Sequence, residues 1–191
     1  MGHDTDAAML ATLLVGALRN ARRAGVDLAE QARRANSVLA GRDMPVGFVT
    51  GQLVRVDLSS ETATVVNAGH PLPRRVRAGR VETVGLSADP PFGTFADQAY
   101  HVQRLPLEPG DRLMFLTDGM LERNAASLDV DALLIANADL HPRDAVQAMM
   151  TCVIDAADGD LRDDATALCL DWHGGPERER TSYAGANRPV G

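Results

Sequence analysis

The sequence predicts an α+β fold built on antiparallel hairpins. Three features carry that reading: two helical stripes at the start, a hairpin of alternating apolar residues after them, and a late run apolar on both faces that marks an interior strand. At 191 residues, 45% hydrophobic and 24% charged, the chain has the balance of a soluble globular domain with one real core.

From Asp6 to Arg23 the residues Leu10, Leu14, Ala17, Leu18 and Ala21 share one helical stripe, with Asp4 or Thr5 as the N-cap. A second helix is capped by Asp27, with Glu30 three residues on, and its stripe is Leu28, Ala32, Ala35 and Leu39; Gly41 is expected to end it. Val54, Val56 and Leu58 then alternate with Arg55 and Asp57, Ser59-Ser60-Glu61 turns the chain, and Thr62 to Val66 returns as an antiparallel partner.

Residues 67 to 110 are dense in turn formers, among them Gly69, Pro71, Pro73, Gly79, Pro90, Pro91 and Gly93. Short strands are expected near Pro73–Arg77, Val81–Val84 and Tyr100–Leu105. Pro109-Gly110 suits a type II turn and launches Leu113-Met114-Phe115-Leu116, which should be a central strand. Helices follow over Asp129–Asn137 and Pro142–Ala157, the latter with proline at its first position and Val146, Met149, Met150 and Val153 facing inward. The last strand is expected over Ala165–Trp172. Residues 1–173 thus form one domain, while the tail 174–191 lacks the apolar content to repay the entropy of ordering and is expected to be disordered.

The net charge is −7 and the basic residues are scattered, so the field of the protein repels phosphate backbones and anionic headgroups. Nucleic acid is excluded as a partner on this ground. All 19 basic residues are arginine, which removes Schiff-base chemistry and any phosphate loop ending in lysine. Cys152 and Cys169 have no CxxC spacing and read as buried, reduced thiols of a cytoplasmic protein. The acidic start lacks the positive charge of a signal peptide, and the apolar run Ala7 to Leu18 is too short to span a bilayer, so no membrane segment is expected.

Two acidic features carry chemistry. Thr117-Asp118-Gly119 directly follows the central strand, where a rigid element can aim a carboxylate, although Asp-Gly after a strand is also a common turn. Asp163-Asp164 immediately precedes the last strand, and if that strand runs antiparallel to Leu113–Leu116 the three acids gather at one place. Crowded carboxylates need a cation, and hard oxygen donors without histidine or cysteine favour magnesium or manganese over zinc. Solvated loop acids are the alternative reading of the same residues.

Several separate stretches resemble, in family order, the motifs of the SpoIIE-like, RsbU-type branch of the PPM family of metal-dependent protein serine/threonine phosphatases. Met1-Gly2-His3-Asp4 is similar to the end of the family's Met-Gly-His-Gly motif, with Asp4 in place of glycine. Phe48-Val49-Thr50 resembles the strand after the paired helices, and Asn67-Ala68-Gly69-His70-Pro71 matches the family's turn residue for residue. Leu107-Glu108-Pro109-Gly110-Asp111, then Phe115 to Gly119, and finally Asp163-Asp164-Ala165-Thr166 resemble its turn, metal-ligand and closing acidic segments.

The resemblance implies two antiparallel sheets packed as a sandwich with helices outside, amino-terminally incomplete. It implies Asp118 and Asp163 as metal ligands, Asp164 as neighbour or alternate ligand, and a structural role for residues 67–71 that makes His70 architectural. His3 either contacts substrate or shapes its turn. The implied reaction is hydrolysis of phosphoserine or phosphothreonine by water held on two Mn2+ or Mg2+ ions, with no covalent enzyme intermediate. The implied partner is a phosphorylated regulatory protein of the anti-sigma-factor antagonist type.

The family's ligating aspartates ahead of the Met-Gly-His segment, one of them bridging both metals, have no counterpart in this sequence. Little or no activity is therefore expected of the chain as written. Either translation starts upstream of Met1, or the chain is an inactive module that binds such a partner.

Overall fold

Local capping and alternation fix most of the element boundaries. The computed structural model describes residues 5–40, 47–120, 128–157 and 165–174. Helix α1 spans Thr5–Arg23 and α2 spans Leu28–Ala40. The start of α2 is set by Asp27, whose Oδ1 accepts the Glu30 N–H at 2.8 Å, a cap that contributes about 1 kcal/mol. Its buried face is Leu28, Ala32, Ala35 and Leu39, which packs on Leu10 and Leu14 of α1.

Strands β1 (Gly51–Asp57) and β2 (Thr62–Ala68) form the expected hairpin, and β5 (Gln103–Pro106) pairs antiparallel with the other edge of β2. The second sheet contains β3 (Arg74–Arg77), β4 (Arg80–Thr83), β6 (Asp111–Leu116) and β7 (Ala167–Trp172) in the order β4-β3-β6-β7, all antiparallel. The expected central strand is β6, which lies between β3 and β7 and is buried along nearly its whole length. Its turn is also as expected, with Gly110 at φ +97°.

Strand alternation sorts the side chains into layers. From β2, Ala63 and Val65 join Leu105, Leu113 and Trp172 between the two sheets, whereas Val66 and Ala68 face α1 and α2. From β6, Leu113 and Phe115 face the first sheet, while Met114 and Leu116 face helices α3 (Val130–Ala136) and α4 (Pro142–Ala156). The result is a four-layer α-β-β-α sandwich. Asp129 caps α3 by accepting the Ala132 N–H at 2.9 Å, and Pro142 opens α4, whose Ala145, Met149 and Val153 are buried with Val146 and Met150 packed beside them.

Buried Arg112 fastens the second pair of layers. Its guanidinium donates to both carboxylate oxygens of Asp171 at 2.7 and 2.8 Å, and to the carbonyls of Asn137 and Leu140 in the turn between α3 and α4. A guanidinium has five donors, and this placement satisfies the charged group where a lysine could not reach all four acceptors.

Several boundaries differ from expectation for physical reasons. Leu58 lies in the turn and is 60% exposed, because Asp57 already accepts from the Ser59 N–H and both serine hydroxyls. Phe48–Thr50 is no strand; Val49 makes one isolated bridge with Phe92, and β1 begins at Gly51. Tyr100 is drawn out of the expected strand to stack on Phe92, centroids 5.0 Å apart, and to donate its hydroxyl to Asn36 Oδ1 at 3.1 Å. Cys152 and Cys169 are free but half-buried rather than buried. Gly41, Asp4 and, apart from Gly174, the tail lie outside the described residues. Among the described residues no helix is long and apolar enough to cross a membrane.

Candidate functional site

Strand β6 ends at Leu116, and the chain turns at once through a short 3-10 segment, Asp118–Met120. Gly119 and Met120 are buried, which leaves Asp118 as the exposed side chain of that turn. No hydrogen bond or ion pair engages its carboxylate among the described residues. The turn is latched to the chain entering β7: the Thr117 N–H donates to the Thr166 carbonyl at 3.1 Å, and the Thr166 N–H donates to Thr117 Oγ1 at 2.9 Å. With Leu116 opposite Ala167, the antiparallel register runs one residue past the sheet at this end. The antiparallel arrangement expected from the sequence is therefore present, while Asp163 and Asp164, like His3, lie outside the described residues.

The turn after β2 comes to the same end of the sandwich. Asn67 is fully buried, and its Oδ1 accepts the His70 N–H at 2.9 Å across the bend at Gly69, φ +67°. A Cβ at Gly69 would stand 2.9 Å from Pro91 Cγ, so this position needs glycine both for its backbone angle and for its space. The Asn67 carbonyl accepts the Asp89 N–H at 2.8 Å, and buried Asp89 in turn accepts from the His101 backbone and pairs with its ring at 2.7 Å. The structural role expected of residues 67–71 matches these contacts.

His70 stands near enough to Asp118 to feel its charge, which its expected architectural part did not require. Burial pushes its imidazole below the ordinary histidine range, and the negative charge of Asp118 partly offsets that push. The ring is held by Thr50, whose Oγ1 lies 3.3 Å from Nδ1. Gln52, two residues further on and inside β1, donates to the Pro71 carbonyl at 3.0 Å. Sequence reading missed Thr50 and Gln52 as parts of this site. Thr50 immediately precedes β1 and Gln52 is its second residue, and their i, i+2 spacing is the only signal of them the sequence holds.

The donor chemistry suits a hard divalent cation as a partial set: an exposed carboxylate on a turn fixed by the hydrogen bonds between Thr117 and Thr166. Among the described residues no group of three or more His, Cys, Asp or Glu side chains comes together to hold an ion.

The sequence matches the family model described as Stage II sporulation protein E over residues 1–173. No curated protein sequence matches it significantly. The fold is similar to the RsbU and RsbW domains of a Mycobacterium tuberculosis protein, at 24% identity and TM-score 0.78 over 93% of this chain and 51% of that one. It is also similar to the PP2C phosphatase domain with a regulatory fragment of SpoIIE from Bacillus subtilis, at 22% identity and TM-score 0.74 over 88% of this chain and 51% of that one. A third similar structure is the PPM Ser-Thr phosphatase MsPP from Mycobacterium smegmatis in complex with cacodylate, at 20% identity and TM-score 0.63 over 86% and 80%. At these identities the likeness is one of fold, and the chain spans about half the length of the first two. The sandwich expected from the sequence is the PPM-type fold that these structures share.

Proposed function

This chain belongs to the SpoIIE family, and on that premise we propose that it contributes one half of a divalent-metal site to the hydrolysis of phosphoserine or phosphothreonine on a regulatory protein. The reading assigns the metal-holding role to Asp118, Asp163 and Asp164. The substrate it fits is a phosphorylated protein of the anti-sigma-factor antagonist kind. A Mn2+ or Mg2+ ion bound there would supply charge neutralisation at phosphorus and a more acidic water.

The observation that carries the reading is the latch between Thr117 and Thr166 at the open end of β6 and β7. It brings the chain that follows Asp163-Asp164 alongside the turn bearing Asp118, so that acids on two distant segments can share one ion. The work of this chain's own residues is positional. The rigid strand end aims Asp118, Thr117 fixes its distance from the entry to β7, and the 67–71 turn closes the adjacent side with an imidazole that burial pushes below the ordinary histidine range.

The test is phosphate release from a phosphoserine protein in manganese buffer, repeated with Asp118→Asn. Release that the substitution abolishes supports the reading. Absence of release in both proteins, with binding of the phosphoprotein retained, makes the chain a non-catalytic binding module instead.

A further inference from the structure

Gln52 and Asn67 are cross-strand partners in the β1–β2 hairpin, and their carboxamides stand on the inter-sheet face at its open end. Each makes one bond to the turn that carries His70. Asn67 Oδ1 accepts the His70 N–H at 2.9 Å, and Gln52 Nε2 donates to the Pro71 carbonyl at 3.0 Å. The remaining atoms are complementary: Gln52 Oε1 is a buried acceptor and Asn67 Nδ2 a buried donor, and both lack a partner. Leaving one such atom unpaired costs about 1–3 kcal/mol. That cost is set against the two bonds the amides make to the turn, which an apolar pair of the same volume would lose.

We propose that Gln52 is a positioning residue of the candidate site, forming with Asn67 an amide clamp that fixes the 67–71 turn and thereby where the His70 ring stands relative to Asp118. The geometry acts through three contacts, one each from β1, from the residue that precedes it and from β2. Thr50, just ahead of β1, and Gln52 within it hold the ring and the following carbonyl, while Asn67 holds the intervening N–H. Removing Gln52 releases the Pro71 carbonyl and frees the turn to pivot about Asn67. This proposal rests on the phosphatase reading for the purpose of the clamp, but the clamp itself is measurable without catalysis.

The experiment is amide hydrogen exchange together with the ring resonances of His70, followed by NMR in the intact chain, in Gln52→Ala and in Gln52→Glu. Gln52→Ala should speed exchange of the His70 amide about tenfold or more and shift the ring signals, with the exchange of Leu113 in β6 unchanged. Gln52→Glu keeps the volume but loses the donor to Pro71, so it should give the ring shift with less gain in exchange. If Gln52→Ala does not fold, Gln52→Glu alone decides, and an unmoved His70 ring overturns the proposal. Unchanged His70 exchange and ring signals in a folded Gln52→Ala also overturn it. Asp118→Asn separates the two readings: it should remove manganese binding while leaving His70 amide exchange as it was. Retained manganese binding in that variant would sink the phosphatase assignment and leave the clamp standing.

Discussion

Thr117 and Thr166 are joined by three hydrogen bonds just outside the last paired residues of β6 and β7: one between backbones at 3.1 Å, one from the Thr166 N–H to the Thr117 hydroxyl at 2.9 Å, and a longer one from that hydroxyl to the Thr166 carbonyl at 3.4 Å. Thr117→Val keeps the shape and removes the hydroxyl, which both accepts from the Thr166 N–H and donates to its carbonyl. The variant should lose about 1 kcal/mol of stability and bind manganese several-fold more weakly. Denaturant titration and calorimetry measure the two effects, and weaker stability with unchanged metal affinity would detach the latch from the site.

Gly69→Ala places a methyl against Pro91 at a backbone angle that side chains rarely adopt. A loss of about 1–3 kcal/mol is expected, with faster exchange of the His70 amide as the bend opens. Gly79 is also at positive φ, but a Cβ there would meet nothing within 4 Å, so the same substitution should cost less.

Asp111 is 1% exposed and receives both nitrogens of Arg77 at 2.6 Å, with the Glu108 N–H at 2.9 Å. Burial alone would raise its carboxyl, but Arg77 and the Glu108 amide hold it below the ordinary range. A depressed folded value means a stabilisation that is complete above about pH 4, the unfolded value, and lost as pH falls through the lower folded one. Arg77→Met leaves burial with less opposition. It should cost about 3 kcal/mol at neutral pH and reverse the trend, so that stability falls as pH rises past about 4. Urea titrations at a series of pH values check the sign.

How much of this was legible in the sequence depends on the range of the interactions involved. Helix starts were readable because Asp27 and Asp129 cap within three residues, and β6 because it is apolar on both faces. The loop before β5 was not. Tyr100 is set by Asn36, 64 residues away, whose amide also donates to the Phe95 carbonyl and accepts the Gly93 N–H, and no local periodicity encodes such contacts. Asp118 stood out as a carboxylate at a strand end. Gln52 did not, because its role depends on register: with the turn at 58–61 and Asp57 opposite Thr62, Gln52 falls opposite Asn67, whereas continuing the strand through Leu58 hides that pairing.

Burial pushes the Cys169 thiol up to about 11, although Arg112 partly opposes the shift. At pH 8 roughly a thousandth of it is then thiolate. A thiol-specific reagent should modify Cys169 slowly in the native protein and at an ordinary rate after denaturation. Native labelling of Cys169 at the rate of a free thiol would mean that the β7 face under α4 is open.

The central claim is that Asp118 belongs to a divalent-metal half-site shared with Asp163 and Asp164. Manganese stoichiometry and affinity, measured by calorimetry on the chain and on Asp118→Asn and Asp163→Asn, test it most directly. The account predicts at most one ion per chain, bound weakly, with binding lost in both variants. Binding that survives either substitution unchanged, or two tightly held ions in the chain as it stands, would contradict it.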